Sequence, residues 1–203
     1  MNIIEFKEKC NDLCKKFASD GKYYADESVL WQARATQTIK PFIDKEKQEL
    51  IPQYGVSYTA NLIERIAELI SAIISKNKWN ILSAISDVQL SMIAQAYIHD
   101  INIVDYVTLP DKTKVKMILL NAIRLSTNIG LLSVIEVLSA CQKVFAKSIE
   151  RKCDKINILI AYFMLEKCCE MIVAEFNFGN NTDYMMLAAN IIKLNEIVYD
   201  YGS

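Results

Sequence analysis

Turn-forming residues are scarce in this 203-residue chain, which has five glycines and three prolines. An all-β sandwich or barrel needs many tight turns, and glycine and proline supply most of them. The five glycines, at positions 21, 55, 130, 179 and 202, fall between stretches of helical apolar spacing rather than within them. The sequence therefore predicts an all-α protein with short connections.

An excess of charge of one sign is also lacking, since 23 basic residues face 24 acidic ones. No overall field would draw the chain to nucleic acid or to an anionic membrane. With 52% hydrophobic residues and a net charge of −1, the chain can bury enough apolar surface to fold. The apolar stretches Val115–Leu138 and Ile156–Phe176 are interrupted by charged residues, so we expect no membrane span.

Histidine occurs once, at position 99, and this excludes many catalytic arrangements. A nucleophile–histidine pair would have to use His99, and no strand-turn-helix nucleophile motif accompanies it. Neither Cys10 with Cys14 nor Cys168 with Cys169 has the two-residue spacing of a zinc knuckle. No glycine-rich phosphate loop is present either. We therefore expect no catalytic residues, no cofactor and no metal.

The six cysteines do not indicate a disulfide framework. The first residues carry charges where an export signal needs an apolar core, and most of the cysteines lie within apolar helical patterns. Free, buried thiols in a reducing compartment are the better interpretation. The sequence predicts a soluble, cytoplasmic protein.

Apolar residues recur at spacings of three and four along most of the chain. They predict a compact bundle of about seven to nine helices in a single domain, residues 1–203. A strongly apolar helix near 155–176 is expected at its centre, because its first half is apolar on nearly every face.

Residues 21–56 form the least regular part of the pattern, and we expect an irregular or mobile segment there. Gly21 is expected to end the first helix, and Ser28 to cap a short one. Pro41 would then break that helix or begin the next.

One basic stripe has helical spacing: Lys143, Lys147 and Arg151. Lys112 and Lys116 follow Pro110, on the helix expected before Gly130. They would join the stripe if that helix packs antiparallel to the helix that carries Lys143. The set could form a patch for an acidic partner, an anion or RNA. The interpretation we favour is a solvated helix end stabilised by cations.

Three aromatic residues lie in the irregular segment: Tyr23, Tyr24 and Trp31. Tyrosine and tryptophan outside a core stripe are typical of interface anchors, although they also serve as ordinary packing residues. We take them as candidate interface residues.

Together these patterns favour a non-enzymatic helical interaction module of the adaptor, inhibitor, immunity or host-interaction type. It would bind another protein, of unknown identity, through an apolar groove or a helical face, and a homodimer is one form of this. The alternative is a ligand-binding protein or enzyme with an apolar internal pocket near His99, Tyr97 and Asp100. A weaker alternative is nucleic-acid or anion binding by the basic stripe.

Overall fold

Seven α-helices and no strands make up the part of the chain that the computed structural model describes, which comprises residues 1–49, 54–99, 131–150, 155–178 and 182–202. The prediction of an all-α fold is confirmed. In chain order the helices are α1 (Ile3–Ser19), α2 (Gly21–Glu49), α3 (Tyr54–Ser75), α4 (Lys78–Ile98), α5 (Leu131–Glu150), α6 (Lys155–Phe176) and α7 (Thr182–Gly202).

At helix ends, asparagine and lysine occupy positions that serine and glycine occupy in many proteins. The Asn77 side chain caps α4 by accepting hydrogen bonds from the backbone N–H groups of Trp79 and Asn80, at 3.1 and 3.3 Å. Lys76, directly after α3, adopts the left-handed conformation with φ 55°. A chain so poor in glycine thus places ordinary residues at positions that favour glycine.

Gly21 begins α2 rather than ending α1, which is a correction to the expectation from the sequence. The helix α1 ends at Ser19, and the Asp20 N–H donates to the Lys16 carbonyl at 2.9 Å. The Asp20 carboxylate then accepts from the Tyr23 N–H at 2.9 Å, as an N-cap does. A single aspartate therefore separates two helices with almost no loop.

The segment 21–56 was expected to be irregular, and its first 29 residues are instead one continuous helix, α2. Ser28 caps nothing, because it lies inside α2 and its hydroxyl donates to the Ala25 carbonyl. Pro41 also lies inside the helix. Buried Ala35, Ile39 and Ile43, spaced by four, pack this part of α2 onto the core, and such packing outweighs weak local propensity.

Two helices, α4 and α6, lie at the centre of the described fold. The central position of α6 was predicted and is confirmed. Thirteen of the 21 residues of α4 are buried, so this helix is covered on more than one side. It packs against α3, α7, α2, α6 and α1.

The largest apolar cluster joins α3, α4, α5 and α6. Each of these helices contributes at least one fully buried aliphatic side chain to it, for example Ile66, Ile85, Leu138 and Leu165. Smaller clusters attach α1, α2 and α7 to the other sides of α4. The helix α4 is therefore the element that the clusters share.

By length and composition, α4 is the single helix among the described residues that could cross a membrane, and 72% of its apolar window is buried inside the fold. Core helices of soluble proteins share this length and composition.

Candidate functional site

A cleft of about 420 Å³ opens between α2, α3, α4 and α7. Its apolar lining includes Ile39, Phe42, Leu90, Ala94 and Ile197. Its polar lining includes Asn61, Arg65, Asp87, Ser91, Lys193 and Glu196. The cleft has the size of a ligand site, and polar and apolar groups contribute about equally to its lining.

Four charged side chains converge on the cleft. The Lys193 ammonium lies 3.2 Å from the Asp87 carboxylate and 3.5 Å from that of Glu196. Arg65 pairs with Glu68 through Nη1 at 2.7 Å. Burial raises the pKa of Asp87, even though Lys193 and Arg65 both act to lower it. The effect of burial on this pKa therefore outweighs that of the two cations.

A hydrogen bond joins α3 and α4 in the wall of the cleft. The Ser91 hydroxyl donates to Asn61 Oδ1 at 3.0 Å. The two helices are joined by a turn of only two residues, so they run antiparallel and bring these positions together.

A second polar feature is a chain of side chains that links α7, α4 and α6 inside the fold. The Asn190 amide donates to Gln89 Oε1 at 2.9 Å, and Gln89 Nε2 donates to Glu166 Oε1 at 3.2 Å. Burial raises the pKa of Glu166. Glu166 therefore lies against other helices, whereas Glu170, one turn later, is exposed.

The cleft is not the pocket expected near His99, which stays a prediction. The cleft follows residues 87–94 of α4, and neither His99 nor Tyr97 lines it. His99 follows the last turn of α4, where its backbone N–H donates to the Gln95 carbonyl. The Tyr97 hydroxyl donates to the Asp44 carboxylate of α2 at 3.0 Å. Asp100 lies outside the described residues.

The three candidate interface aromatics are half-buried and contact their own chain. The Tyr24 ring centroid is 4.3 Å from that of Tyr184 and 5.5 Å from that of Phe17. Tyr23 packs on Phe17 as well, and Trp31 packs against two core clusters. These contacts show that the three residues help to hold α2 on the rest of the fold.

Aliphatic side chains are also exposed on α2. Val29 is 78% exposed and Leu30 48% exposed, and Ala25 and Ala33 are exposed one turn to either side of Val29. We call Ala25, Val29, Leu30 and Ala33 the outer stripe. An exposed aliphatic group of this kind, with neighbouring members along one helix, is a candidate surface for a binding partner.

The basic stripe is described only in part. Lys143 and Lys147 are exposed on α5. Arg151, Lys112 and Lys116 lie outside the described residues, so a joint patch stays a prediction.

The five described cysteines are free thiols, and four of them are buried. Burial raises the pKa of Cys10 and of Cys141 to about 12. Such thiols stay protonated at neutral pH, which makes them poor nucleophiles and poor metal ligands. Within the described ranges, no group of three or more histidine, cysteine or acidic side chains could hold a metal ion.

The sequence interpretation did not single out Asp87 or Lys193. A usable signal existed, because each is a charged residue in a helix that is otherwise largely apolar.

Comparison with protein-family models, curated proteins and solved structures finds no significant match to this chain.

Proposed function

We propose that this chain is a non-enzymatic interaction module that binds another protein through the outer stripe of α2. The observation that supports this proposal most directly is the exposure of Val29 and Leu30 on a long helix that also packs on the core. The free thiols are those expected of a protein in the reducing cytoplasm, and we propose that location too.

The spacing of the outer stripe suits a helical partner. Ala25, Val29 and Ala33 are spaced by four, so they form one ridge along α2. Small alanines on either side of Val29 let a second helix approach closely. That helix would belong to another protein or to a second copy of this chain.

Val29→Asp tests the proposal, because it places a charge in the centre of the outer stripe. Val29 is already exposed, so we expect the free energy of unfolding to change by no more than about 0.5 kcal/mol. We expect partner binding to weaken at least tenfold. Mass measurement by light scattering over a range of concentrations detects self-association, and affinity capture followed by titration of the captured protein detects another partner.

The matched control is Ala146→Asp, which adds the same charge at an exposed position on a different helix, α5. It should leave both self-association and capture unchanged. Equal effects of the two variants, or no effect of Val29→Asp, would contradict a role for the outer stripe.

A second candidate function, binding of a small ligand, is favoured by the cleft between α2, α3, α4 and α7. Its volume and mixed lining are those of a ligand site. A ligand-observed NMR screen of small fragments tests it, with Ser57→Trp as the variant that blocks the cleft. Ser57 lines the cleft and is exposed, so a bulky ring there should fill space without disturbing the core. Fragments that bind both proteins equally would contradict binding in the cleft.

A further inference from the structure

The cleft has a charged end and an apolar end. Asp87 and Ala94 both line it, and they lie seven residues apart on α4, which is about 10 Å along the helix axis. Arg65 and Lys193 line the Asp87 end, where the Lys193 ammonium lies 3.2 Å from the Asp87 carboxylate. The apolar lining residues Ile39, Leu90, Ala94 and Ile197 belong to one packed cluster.

Both signs of charge are present in equal number in the cleft, with Arg65 and Lys193 facing Asp87 and Glu196. A ligand with a single charge would meet a repelling group beside each attracting one. A ligand that carries an ammonium and a carboxylate could place each beside its opposite.

Arg65 and Asp87 can each make a further contact with such a ligand. The Arg65 pair with Glu68 uses Nη1, its side chain is 36% exposed, and a guanidinium has five N–H donors in total. Asp87 lines the cleft, its side chain is 24% exposed, and its contact with Lys193 is made through Oδ2. A ligand ammonium beside Asp87 and a ligand carboxylate beside Arg65 would satisfy both groups.

We propose that the cleft binds a small zwitterionic molecule with an apolar body, in the class of free apolar amino acids and unblocked dipeptides. This inference rests on the ligand-binding function proposed for the cleft. The ammonium lies beside Asp87, the carboxylate lies beside Arg65, and the apolar side chains contact Ile39, Leu90 and Ile197. The cleft volume of about 420 Å³ is sufficient for a molecule of this size.

Isothermal titration calorimetry of the full chain with leucyl-leucine tests the proposal. The same titration is made with the N-acetylated dipeptide, with the C-terminal amide and with the doubly blocked form. We expect saturable binding of the unblocked dipeptide. Blocking either end should weaken binding at least tenfold, because one charged contact is lost.

Two variants test which residue contacts each end of the ligand. Asp87→Asn should weaken binding of the unblocked dipeptide about tenfold and leave binding of the N-acetylated form unchanged, since that form has no ammonium. Arg65→Gln should weaken binding of the unblocked dipeptide about tenfold and leave binding of the C-terminal amide unchanged, since that form has no carboxylate. Circular dichroism checks that both variants remain helical, and the more exposed Arg65 variant carries the test if the Asp87 variant does not fold.

Equal binding of all four dipeptide forms overturns the charge assignment and leaves the cleft as a ligand site. Absence of saturable binding by the unblocked dipeptide at millimolar concentration overturns the inference altogether. The fragment screen with the Ser57→Trp control then decides separately whether the cleft binds ligands.

Discussion

Single polar side chains inside the fold are the positions at which this protein departs from a purely apolar bundle. Asp87, Gln89 and Gln95 on α4 each contact a neighbouring helix through a polar group. A buried polar group that keeps a hydrogen-bond partner costs little, whereas one that loses it is expensive. Such residues fix which helices lie together, and where the polar group is a carboxyl, a change in its protonation alters stability.

Replacement of Glu166 by glutamine should stabilise the protein at neutral pH. Burial raises the pKa of Glu166, so the folded chain binds its proton more tightly than the unfolded chain does. The contribution of Glu166 to stability is therefore greatest below the ordinary pKa of 4.5 and is lost as the pH rises through the folded pKa. Glutamine has no charge and can still accept the hydrogen bond from Gln89.

We expect Glu166→Gln to raise the free energy of unfolding at pH 7 by about 1 kcal/mol, and to flatten its decline between pH 4.5 and 7. Urea unfolding at a series of pH values measures both effects. Glu170→Gln, an exposed change on the same helix, is the control and should alter neither. A Glu166 variant less stable than the wild type at pH 7 would show that the carboxylate is stabilising.

At this scale the sequence predicts burial patterns better than it predicts the direction of individual side chains. Tyr23, Tyr24 and Trp31 pack against the core, while Val29 and Leu30 of the same helix face solvent. Hydrophobicity alone ranks the aliphatic pair as buried. The orientation of α2 is decided by aromatic contacts with α1 and α7, and the α7 contacts come from the far end of the chain.

Among the helices, α2 shows how packing overrides local propensity. Proline inside a helix removes one backbone hydrogen bond and crowds the preceding turn, at a cost of about 3 kcal/mol. The structure nevertheless continues α2 through Pro41, because Ile39 and Ile43 on either side of it are buried. The sequence predicted that Pro41 would break the helix or begin the next one. Neither occurs, because the compensating contacts come from α4 and α7, which are distant in the chain.

Pro41→Ala should therefore stabilise the protein, since alanine restores the missing N–H to the helix. Part of the gain is lost because the unfolded chain becomes more flexible, so we expect a net increase of roughly 1–2 kcal/mol. Thermal and urea unfolding measure it. Gln37→Ala, one turn earlier and exposed, should change stability by less than about 0.5 kcal/mol. No gain from Pro41→Ala would indicate that α2 is not continuous at this position.

For the whole molecule, the sequence predicts that the chain forms a helical bundle, but it does not predict how the helices are arranged. The spacing of apolar residues indicated the fold class and the apolar centre at α6, and both are confirmed. The equally central position of α4 was not predicted, because its burial depends on neighbouring helices that are distant in the chain. The cleft depends on four helices that meet only in the folded state, so no local pattern indicates it.

The position of α4 makes a prediction for hydrogen exchange. Its amides can exchange only when helices on several sides separate, whereas α1 packs along one side of the fold. We expect amides in residues 85–96 to exchange at least tenfold more slowly than those in residues 8–16. Mass spectrometry of peptides from the exchanged protein measures this difference. Equal rates would show that both helices open in the same global event.

The pairing of α1 with α7 has a consequence for synthesis on the ribosome. Phe6 and Phe17 of α1 are buried against Met185, Leu187 and Ala188 of α7. At ordinary translation speeds the ribosome needs on the order of 10 to 30 s to reach α7 after it has made α1. Throughout that interval the apolar face of α1 lacks its native cover, so the nascent chain presents it to chaperones.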